Sequence, residues 1–307
     1  MGRKIFHILL LTKFKLLFYI YNYMIIWIAS YPKSGNTWLR ALISTYFFSK
    51  DGTYNQNLLK NIDQFPTSTY FEEYHHDKKI PGDTCKYWIK AQDKINSDSK
   101  VRFFKTHNVF GKINNFDFTN PQNSLGCVYV VRDPRNVITS LKNHYQLDDK
   151  QAFDWITQEK KFIYNVLEFE KDGFSDFQVI SSWSTNYKSW KVQKKIPIKI
   201  IKYEDLLNST YATFSDVLRF IYKITRNQKN LDKEKIKKTL RTTTFDQLKK
   251  NEEEYGFYEA IPKREDRQKK IPFFNLGPKN DWKKILDEKI RKKIELVFEK
   301  DLNELNY

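Results

Sequence analysis

The chain has 307 residues, 40% hydrophobic and 30% charged, a balance that supports a buried core and excludes a disordered chain. With nine Gly and nine Pro, the composition also excludes collagen-like and linker-like sequences. The two cysteines, Cys85 and Cys127, cannot build a disulfide framework or a multi-thiolate zinc site, which indicates a reducing, cytoplasmic location.

The formal net charge is +17, from 54 Lys and Arg against 37 Asp and Glu. Such a charge suggests an anionic partner. However, 43 of the basic residues are Lys, which is also typical of a solvated surface with a compositional bias. Net charge alone therefore does not decide between a solvated surface and a polyanion-binding surface.

The first 24 residues are predicted to form an extension ahead of one domain, residues 25–307. This extension is rich in Leu, Ile, Phe and Tyr and so resembles a signal peptide or a membrane anchor. Lys13 and Lys15 interrupt the apolar run, so no stretch approaches the ~20 apolar residues of a membrane span. We expect a basic amphipathic helix that packs on the domain or makes peripheral contact with a membrane. An extension without fixed structure and a true span are the alternatives.

The domain begins with a strand, a polar turn and a helix. Ile25–Ile28 is a continuous apolar run, as expected for a strand buried on both faces. After the turn, apolar residues from Trp38 to Phe47 recur at helical spacing. Further strands are expected at 101–105, 127–131 and 198–203, with helices at 135–145 and from Glu204 onward.

Strands that alternate with helices predict an α/β fold in three layers, with a central parallel sheet flanked by helices. The polar, irregular segments 50–100 and 246–280 are expected to be loops that cover one end of this sheet.

The turn Tyr31–Thr37 has the features of a phosphate cradle. A loop that joins a buried strand to a helix directs backbone N–H groups at an anion above the helix start. Lys33 adds a positive charge, and Ser34 and Thr37 add hydroxyl donors. In the P-loop of nucleotide hydrolases a Lys-Ser/Thr pair ends the glycine-rich loop and holds Mg²⁺, whereas here Lys33 precedes the single glycine, Gly35. From this segment alone, an ordinary strand-to-helix turn remains an alternative.

Five segments in order resemble those of the sulfotransferases that use 3′-phosphoadenosine 5′-phosphosulfate (hereafter the phosphosulfate), of the cytosolic and bacterial type. Tyr31–Trp38 resembles the loop that binds the 5′-phosphosulfate group, and Lys105–His107 the segment with the catalytic base. Val131–Ser140 resembles the 3′-phosphate motif, Tyr203–Leu206 a strand end, and Thr243–Phe245 a segment over the adenine. Because all five occur in the family's order, they are far more specific together than singly, and they imply a P-loop-like sulfotransferase fold.

The resemblance implies an enzyme that moves a sulfuryl group in line to an acceptor hydroxyl or amine. By analogy with phosphoryl transfer, positioning and charge stabilisation would dominate catalysis. His107 would be the general base, since an imidazole with an ordinary pKa near ~6.5 suits that task. Lys33 would stabilise the departing phosphate oxygen, and Lys105 would neutralise the transferring group. The phosphosulfate is a co-substrate, and no metal is expected.

The resemblance also implies how the phosphosulfate is held. Arg132 and Ser140 would bind the 3′-phosphate through a planar fork of donors and a hydroxyl. The rings of Trp38 and Phe245 would stack on the adenine. Tyr203 and Thr243 would lie near its edge. For Trp38, a core position is the competing interpretation. The remaining predicted contacts are Lys33, Ser34, Gly35, Asn36, Thr37 and Gly277.

One departure from the family concerns a basic pair near the carboxyl end. Asn275 and Leu276 stand where Arg-Lys is expected, although Gly277 fits. Some of the positive charge that binds the 3′-phosphate must then come from other residues, or the affinity for the phosphosulfate is lower. The candidates are Arg264, Arg267 and Lys279.

The acceptor is expected to be a small molecule or a carbohydrate, and no nucleic-acid partner is expected. Its binding loops, 50–100, 145–180 and 246–275, carry no decipherable signature, and the oligomeric state stays open. A P-loop kinase is one alternative, but it requires Mg²⁺ and a differently placed Lys. A polyanion- or membrane-binding protein on the same scaffold is the other, and it predicts a steep salt dependence of binding.

Overall fold

The computed structural model describes residues 24–307, so the predicted extension lies, apart from Met24, outside the described residues. The strands are β1 (Ile25–Ser30), β2 (Ile62–Gln64), β3 (Arg102–Thr106), β4 (Lys112–Ile113), β5 (Phe116–Asp117), β6 (Ser124–Val131), β7 (Phe162–Ile163), β8 (Gln178–Val179) and β9 (Ile198–Lys202).

The α-helices are α1 (Asn36–Phe48), α2 (Trp88–Ile95), α3 (Pro134–Tyr145), α4 (Asp149–Thr157), α5 (Phe169–Asp172), α6 (Trp183–Val192), α7 (Tyr203–Asn208), α8 (Thr210–Ile224), α9 (Lys233–Thr242), α10 (Phe245–Tyr255), α11 (Trp282–Ile285), α12 (Glu288–Val297) and α13 (Glu299–Leu305). Short 3₁₀ helices span Gln56–Asn61, Ser68–Tyr70, Asp83–Tyr87, Asn96–Asp98 and Gly277–Lys279.

The central sheet has five parallel strands in the order β2-β3-β1-β6-β9. Strand β1 lies in the middle, and its side chains alternate between two apolar clusters, with Trp27 and Ala29 in one and Ile26 and Ile28 in the other. Because both faces are covered, every residue of β1 is buried, which explains the uninterrupted apolar run. The predicted α/β fold with a central parallel sheet is confirmed.

Helices cover both faces of this sheet. On one face α1 and α8 pack through residues such as Leu42 and Leu218. On the other face α3, α6 and α12 contribute Ile138, Trp190 and Ile294. These two clusters and the sheet between them are the three layers predicted from the alternation of strands and helices.

In two places the structure differs from the sequence-based prediction. The segment 50–100, expected to be loop, contains helix α2 and the edge strand β2, which pairs in parallel with β3. The segment 246–280 starts inside helix α10. Strand β2 has three residues, of which Ile62 alone is buried, so it is too short to show an alternating pattern.

Within residues 24–307, we find no helix with the length and apolar character needed to cross a membrane.

Candidate active site

The predicted site residues follow the carboxyl ends of four neighbouring strands. Ser30 ends β1, and His107, Arg132 and Tyr203 come directly after β3, β6 and β9. Because the strands are parallel, these ends meet at one edge of the sheet, where ligands bind in open α/β folds.

A cleft of about 2850 Å³ opens at this edge. Pockets for one small ligand usually have ~300–1,000 Å³, so this cleft has room for two substrates. The predicted residues that line it are Lys33, Gly35, Asn36, Thr37, Trp38, Lys105, His107, Arg132, Ser140, Tyr203, Phe245 and Gly277. The structure thus brings together side chains from segments far apart in the chain.

Two predicted residues lie behind the cleft wall. Thr243 is fully buried, and its hydroxyl donates to the Thr239 carbonyl. Its own carbonyl accepts a 2.9 Å hydrogen bond from the indole N–H of Trp38. Thr243 therefore positions the Trp38 ring rather than lying at the edge of the cleft. Ser34 is also buried within the loop between β1 and α1.

That loop is shaped by two residues with positive φ, Lys33 at 64° and Gly35 at 97°. A Cβ on Gly35 would lie 2.4 Å from Cδ2 of Tyr203, so this position requires glycine. Helix α1 starts directly after it, and no side chain of the described residues caps its first N–H groups. Uncapped N–H groups at the start of a helix form an anion site.

The side chain of Asn36 is used within the loop itself. Its amide donates to the carbonyl of Ile28 at 3.0 Å and to the hydroxyl of Ser30 at 3.2 Å. These bonds fix the first turn of α1 to the end of β1. The side-chain amide of Asn36 is therefore occupied within the loop, and its backbone N–H remains among the uncapped N–H groups of α1.

Arg132 connects this loop to the next strand end. Its guanidinium donates to the carbonyl of Lys33 at 3.0 Å and lies 4.3 Å from the ring centre of Tyr203. Asp133 caps helix α3, and the carboxylate of Glu204 accepts the N–H of Asp133 at 3.1 Å. The position of Arg132 is therefore set by contacts on both sides.

Two buried donors, Ser34 Oγ and Arg132 Nε, find no hydrogen-bond partner among the described residues. Buried polar atoms are nearly always paired, so each such atom indicates a missing partner. Both donors lie where the sequence predicts anionic groups, and an oxyanion is an acceptor that satisfies them.

His107 is held in one tautomer. Its Nδ1 lies 2.7 Å from the backbone carbonyl of Ser30, an atom that can only accept, so Nδ1 carries the proton and Nε2 has a free lone pair. Burial and the nearby Lys105 lower the pKa of His107 to about 3. Its backbone is fixed by Gln178 and Asn186. The imidazole is therefore neutral with a free Nε2, but its pKa lies well below the value near ~6.5 that the sequence analysis assumed for a general base.

Lys33 is half-buried beneath the covering segment, which we define as residues 256–274. Its ammonium lies 3.8 Å from the ring centre of Phe273. Burial lowers the pKa of Lys33 to about 7; Glu259 opposes this shift, while Arg132 and Lys105 add to it. The sequence predicted the position of this lysine but not its contact with Phe273.

Arg40 and Glu259 are two further residues in the cleft that the sequence analysis missed. One carboxylate oxygen of Glu259 accepts hydrogen bonds from Arg40 at 2.5 Å and Lys105 at 2.8 Å. The other accepts from the hydroxyl of Thr37 at 3.1 Å. Arg40 lies among apolar positions of a predicted helix, and a buried Arg needs a counter-ion, which was a usable signal. No pattern in the sequence marks Glu259.

Two of the residues that could replace the missing Arg-Lys pair, Lys279 and Arg264, lie at opposite ends of helix α3. Asn280, next to Lys279, accepts from Thr139 at 2.6 Å and donates to the carbonyl of Asn136 at 2.9 Å. Lys279 therefore lies near the amino-terminal half of α3, close to the Arg132 end. In contrast, Arg264 donates to the carbonyl of Tyr145, at the other end of α3.

From residue 24 to residue 307, we find no group of three or more His, Cys, Asp or Glu arranged to hold a metal ion.

A family model described as "Sulfotransferase domain" matches residues 25–306. The chain is similar to luciferin sulfotransferase of Photinus pyralis, with 22% identity over 73% of this chain and 56% of that protein. It is also similar to sulfotransferase 1B1 of Canis lupus familiaris, with 22% identity over 90% of this chain and 82% of that protein.

Among solved structures, retinol dehydratase in complex with androsterone and the inactive cofactor PAP has the same fold, with a TM-score of 0.54 and 17% identity. The match covers 92% of this chain and 83% of that one. Since the family model spans nearly the whole described chain, the protein belongs to the sulfotransferase family.

Proposed function

We propose that this protein transfers a sulfuryl group from the phosphosulfate to a hydroxyl or amine of a small-molecule or carbohydrate acceptor, with His107 as the general base. One observation carries the proposal: Lys33, Arg132 and His107 line the same cleft although they follow three different strands. The retinol dehydratase structure, which has the same fold, holds PAP, the 3′,5′-bisphosphate that remains after transfer.

Two groups of residues at the cleft would hold the two anionic groups of the phosphosulfate. The uncapped start of α1, with Lys33 and Ser34, would hold the 5′ end. Arg132 and Ser140 would hold the 3′-phosphate, and Lys279 would supply the charge that Asn275 and Leu276 lack. The ribose, which carries both phosphates, would lie between these groups, and the adenine would lie against the rings of Trp38 and Phe245. Tyr203 lies beside Trp38 at a ring distance of 5.9 Å.

In the transfer, the bond between sulfur and the phosphate oxygen breaks as a bond from sulfur to the acceptor oxygen or nitrogen forms. The acceptor proton passes to Nε2 of His107, and the bisphosphate leaves. Lys33 would stabilise the charge on the departing oxygen, and Lys105 the charge on the transferring group. Bound anions favour the charged forms of both lysines, so binding would raise the pKa of Lys33 again.

The acceptor would approach His107 over an aromatic wall. The rings of Tyr145 and Trp155 stack with a centroid distance of 4.5 Å. In the described part of the chain, the buried Nε1 of Trp155 and the buried Nδ1 of His144 lack a hydrogen-bond partner. All three side chains line the cleft. Polar nitrogens set among aromatic rings support an acceptor that is a small organic molecule or a sugar.

The test compares the wild type with His107→Asn and a matched control, His75→Asn, at an exposed histidine outside the cleft. We expect PAP to bind all three proteins and raise their melting temperatures. With ³⁵S-labelled phosphosulfate and fractionated extract as the acceptor source, His107→Asn should lose about 10²–10⁴-fold in transfer rate. The proposal fails if the wild type does not bind PAP, or if His107→Asn transfers at the wild-type rate.

A further inference from the structure

The carboxylate of Glu259 is an anion bound inside the cleft by the protein itself. Its side chain is 14% exposed, and it accepts hydrogen bonds from Arg40, Lys105 and Thr37. Burial alone would raise the pKa of Glu259, but Lys105 and Arg40 hold it well below its usual range, so the group is a carboxylate at neutral pH.

Two of these three donors belong to the site proposed for the phosphosulfate. Thr37 lies in the first turn of α1, where the 5′-phosphate would bind, and Lys105 would bind the transferring group. The Thr37 hydroxyl has one proton to donate, and it donates that proton to Glu259. A second anion placed beside a buried carboxylate would also be repelled, because charges interact strongly away from water.

We propose that Glu259 is an internal competitor of the phosphosulfate for Thr37 and Lys105, and that its charge sets the affinity for the 5′ end of the nucleotide. The inference rests on the proposed function and names a determinant of substrate affinity that lies outside the motif segments. Binding of the phosphosulfate requires Glu259 to release the single proton of Thr37 and to share the ammonium of Lys105, which has three.

The surroundings of Glu259 allow this release. Arg40 has two other acceptors, the hydroxyl of Tyr258 at 2.7 Å and the carbonyl of Ile62 at 3.1 Å, so it keeps partners when the carboxylate moves. Gly256, at φ 72°, starts the covering segment, and the main chain beyond Glu259 is paired locally between Ile261 and Ile271. Phe257 and Ala260, on either side of Glu259, are buried in an apolar cluster with Ala41 and Leu59, so these contacts hold the segment in place when the carboxylate is released.

The competing explanation is that Glu259 is a structural counter-ion of Arg40, without effect on nucleotide binding. Glu259→Gln separates the two, because the amide keeps the shape and an acceptor for Arg40 but removes the charge. Glu253→Gln is the matched control, since Glu253 is exposed and pairs with Lys249 on α10. The two probes are PAP and adenosine 3′-monophosphate, which lacks the 5′-phosphate.

We expect Glu259→Gln to bind PAP about tenfold more tightly than the wild type, the effect of removing one buried like charge from beside the ligand. Affinity for adenosine 3′-monophosphate should not change, and Glu253→Gln should match the wild type with both probes. Equal or weaker PAP binding by Glu259→Gln overturns the inference, as does an equal gain with the 3′-monophosphate. A wild type that does not bind PAP refutes instead the proposed function.

A second measurement uses the wild type alone and so does not depend on the folding of the variant. Hydrogen exchange of the backbone at residues 257–262 is compared with and without saturating PAP. If PAP displaces Glu259 from Thr37, exchange there should become faster, because the segment loses this hydrogen bond to α1. Unchanged or slower exchange at these residues contradicts the competition.

Discussion

Binding of PAP should be coupled to the uptake of a proton by Lys33. Burial, with the help of Arg132 and Lys105, lowers the pKa of this lysine to about 7, so at pH 8 about 0.9 of the molecules carry it neutral. A phosphate beside the Nζ atom favours the ammonium and raises the pKa in the complex. Binding at pH 8 should therefore take up about 0.9 proton per site.

The sign of the pH dependence follows from this shift. The pKa of Lys33 is higher in the complex than in the free protein, so the full affinity is present below pH ~7. As the pH rises above about 7, the free protein must bind a proton before it binds PAP, and affinity falls by up to about tenfold per pH unit. The loss stops when the pH exceeds the pKa in the complex.

Isothermal titration calorimetry at pH 8 in buffers with different ionisation enthalpies measures the number of protons taken up. The phosphates of PAP do not contribute at this pH, because their second pKa lies near ~6. Lys33→Met should bind PAP more weakly and without proton uptake. Enthalpies that do not depend on the buffer, or the same uptake in Lys33→Met, would refute the reasoning.

Two further predictions concern specificity and stability. In a titration, Lys279→Ala should weaken the binding of PAP about tenfold and leave the binding of 5′-AMP unchanged, because 5′-AMP lacks the 3′-phosphate. Arg264→Ala should leave the ratio of the two affinities as it is in the wild type. An equal loss of affinity for both ligands in Lys279→Ala would contradict the placement of Lys279 at the 3′-phosphate. Asn186→Ala should lower the free energy of unfolding in urea by about 2–4 kcal/mol, because it leaves the hydroxyl of Tyr129 and two backbone carbonyls without partners. Tyr129→Phe removes one of these hydrogen bonds and should lower the free energy of unfolding by about 1 kcal/mol. Equal losses of stability in Asn186→Ala and Tyr129→Phe would contradict the role given to the three hydrogen bonds of Asn186.

Much of the scaffold was predictable because it depends on local patterns. The apolar run at Ile25–Ile28 indicated a strand covered on both faces, and the structure buries all of it. At the end of β6, Asp133 caps α3 and Pro134 occupies its first turn, so the change from strand to helix is encoded within a few residues. The family motifs lie at such transitions, which is why they were found.

Other features left no local signal. Strand β2 is three residues long and owes its existence to pairing with β3 rather than to its own pattern. The helix within the predicted loop after residue 245 is strongly polar, and Leu248 is its buried residue. Thr243 was expected near the adenine edge, but its side chain turns back to α9.

The sequence by itself determined four of the five strands of the central sheet, the turns after them and the family, because backbone preferences and hydrophobic period act over a few residues. The tertiary structure decided which charges share the cleft. Glu259 meets Thr37, Arg40 and Lys105 across separations of 222, 219 and 154 residues. Such contacts arise when a covering segment packs over the edge of a sheet, and their strength depends on the exclusion of water there, which no local pattern encodes.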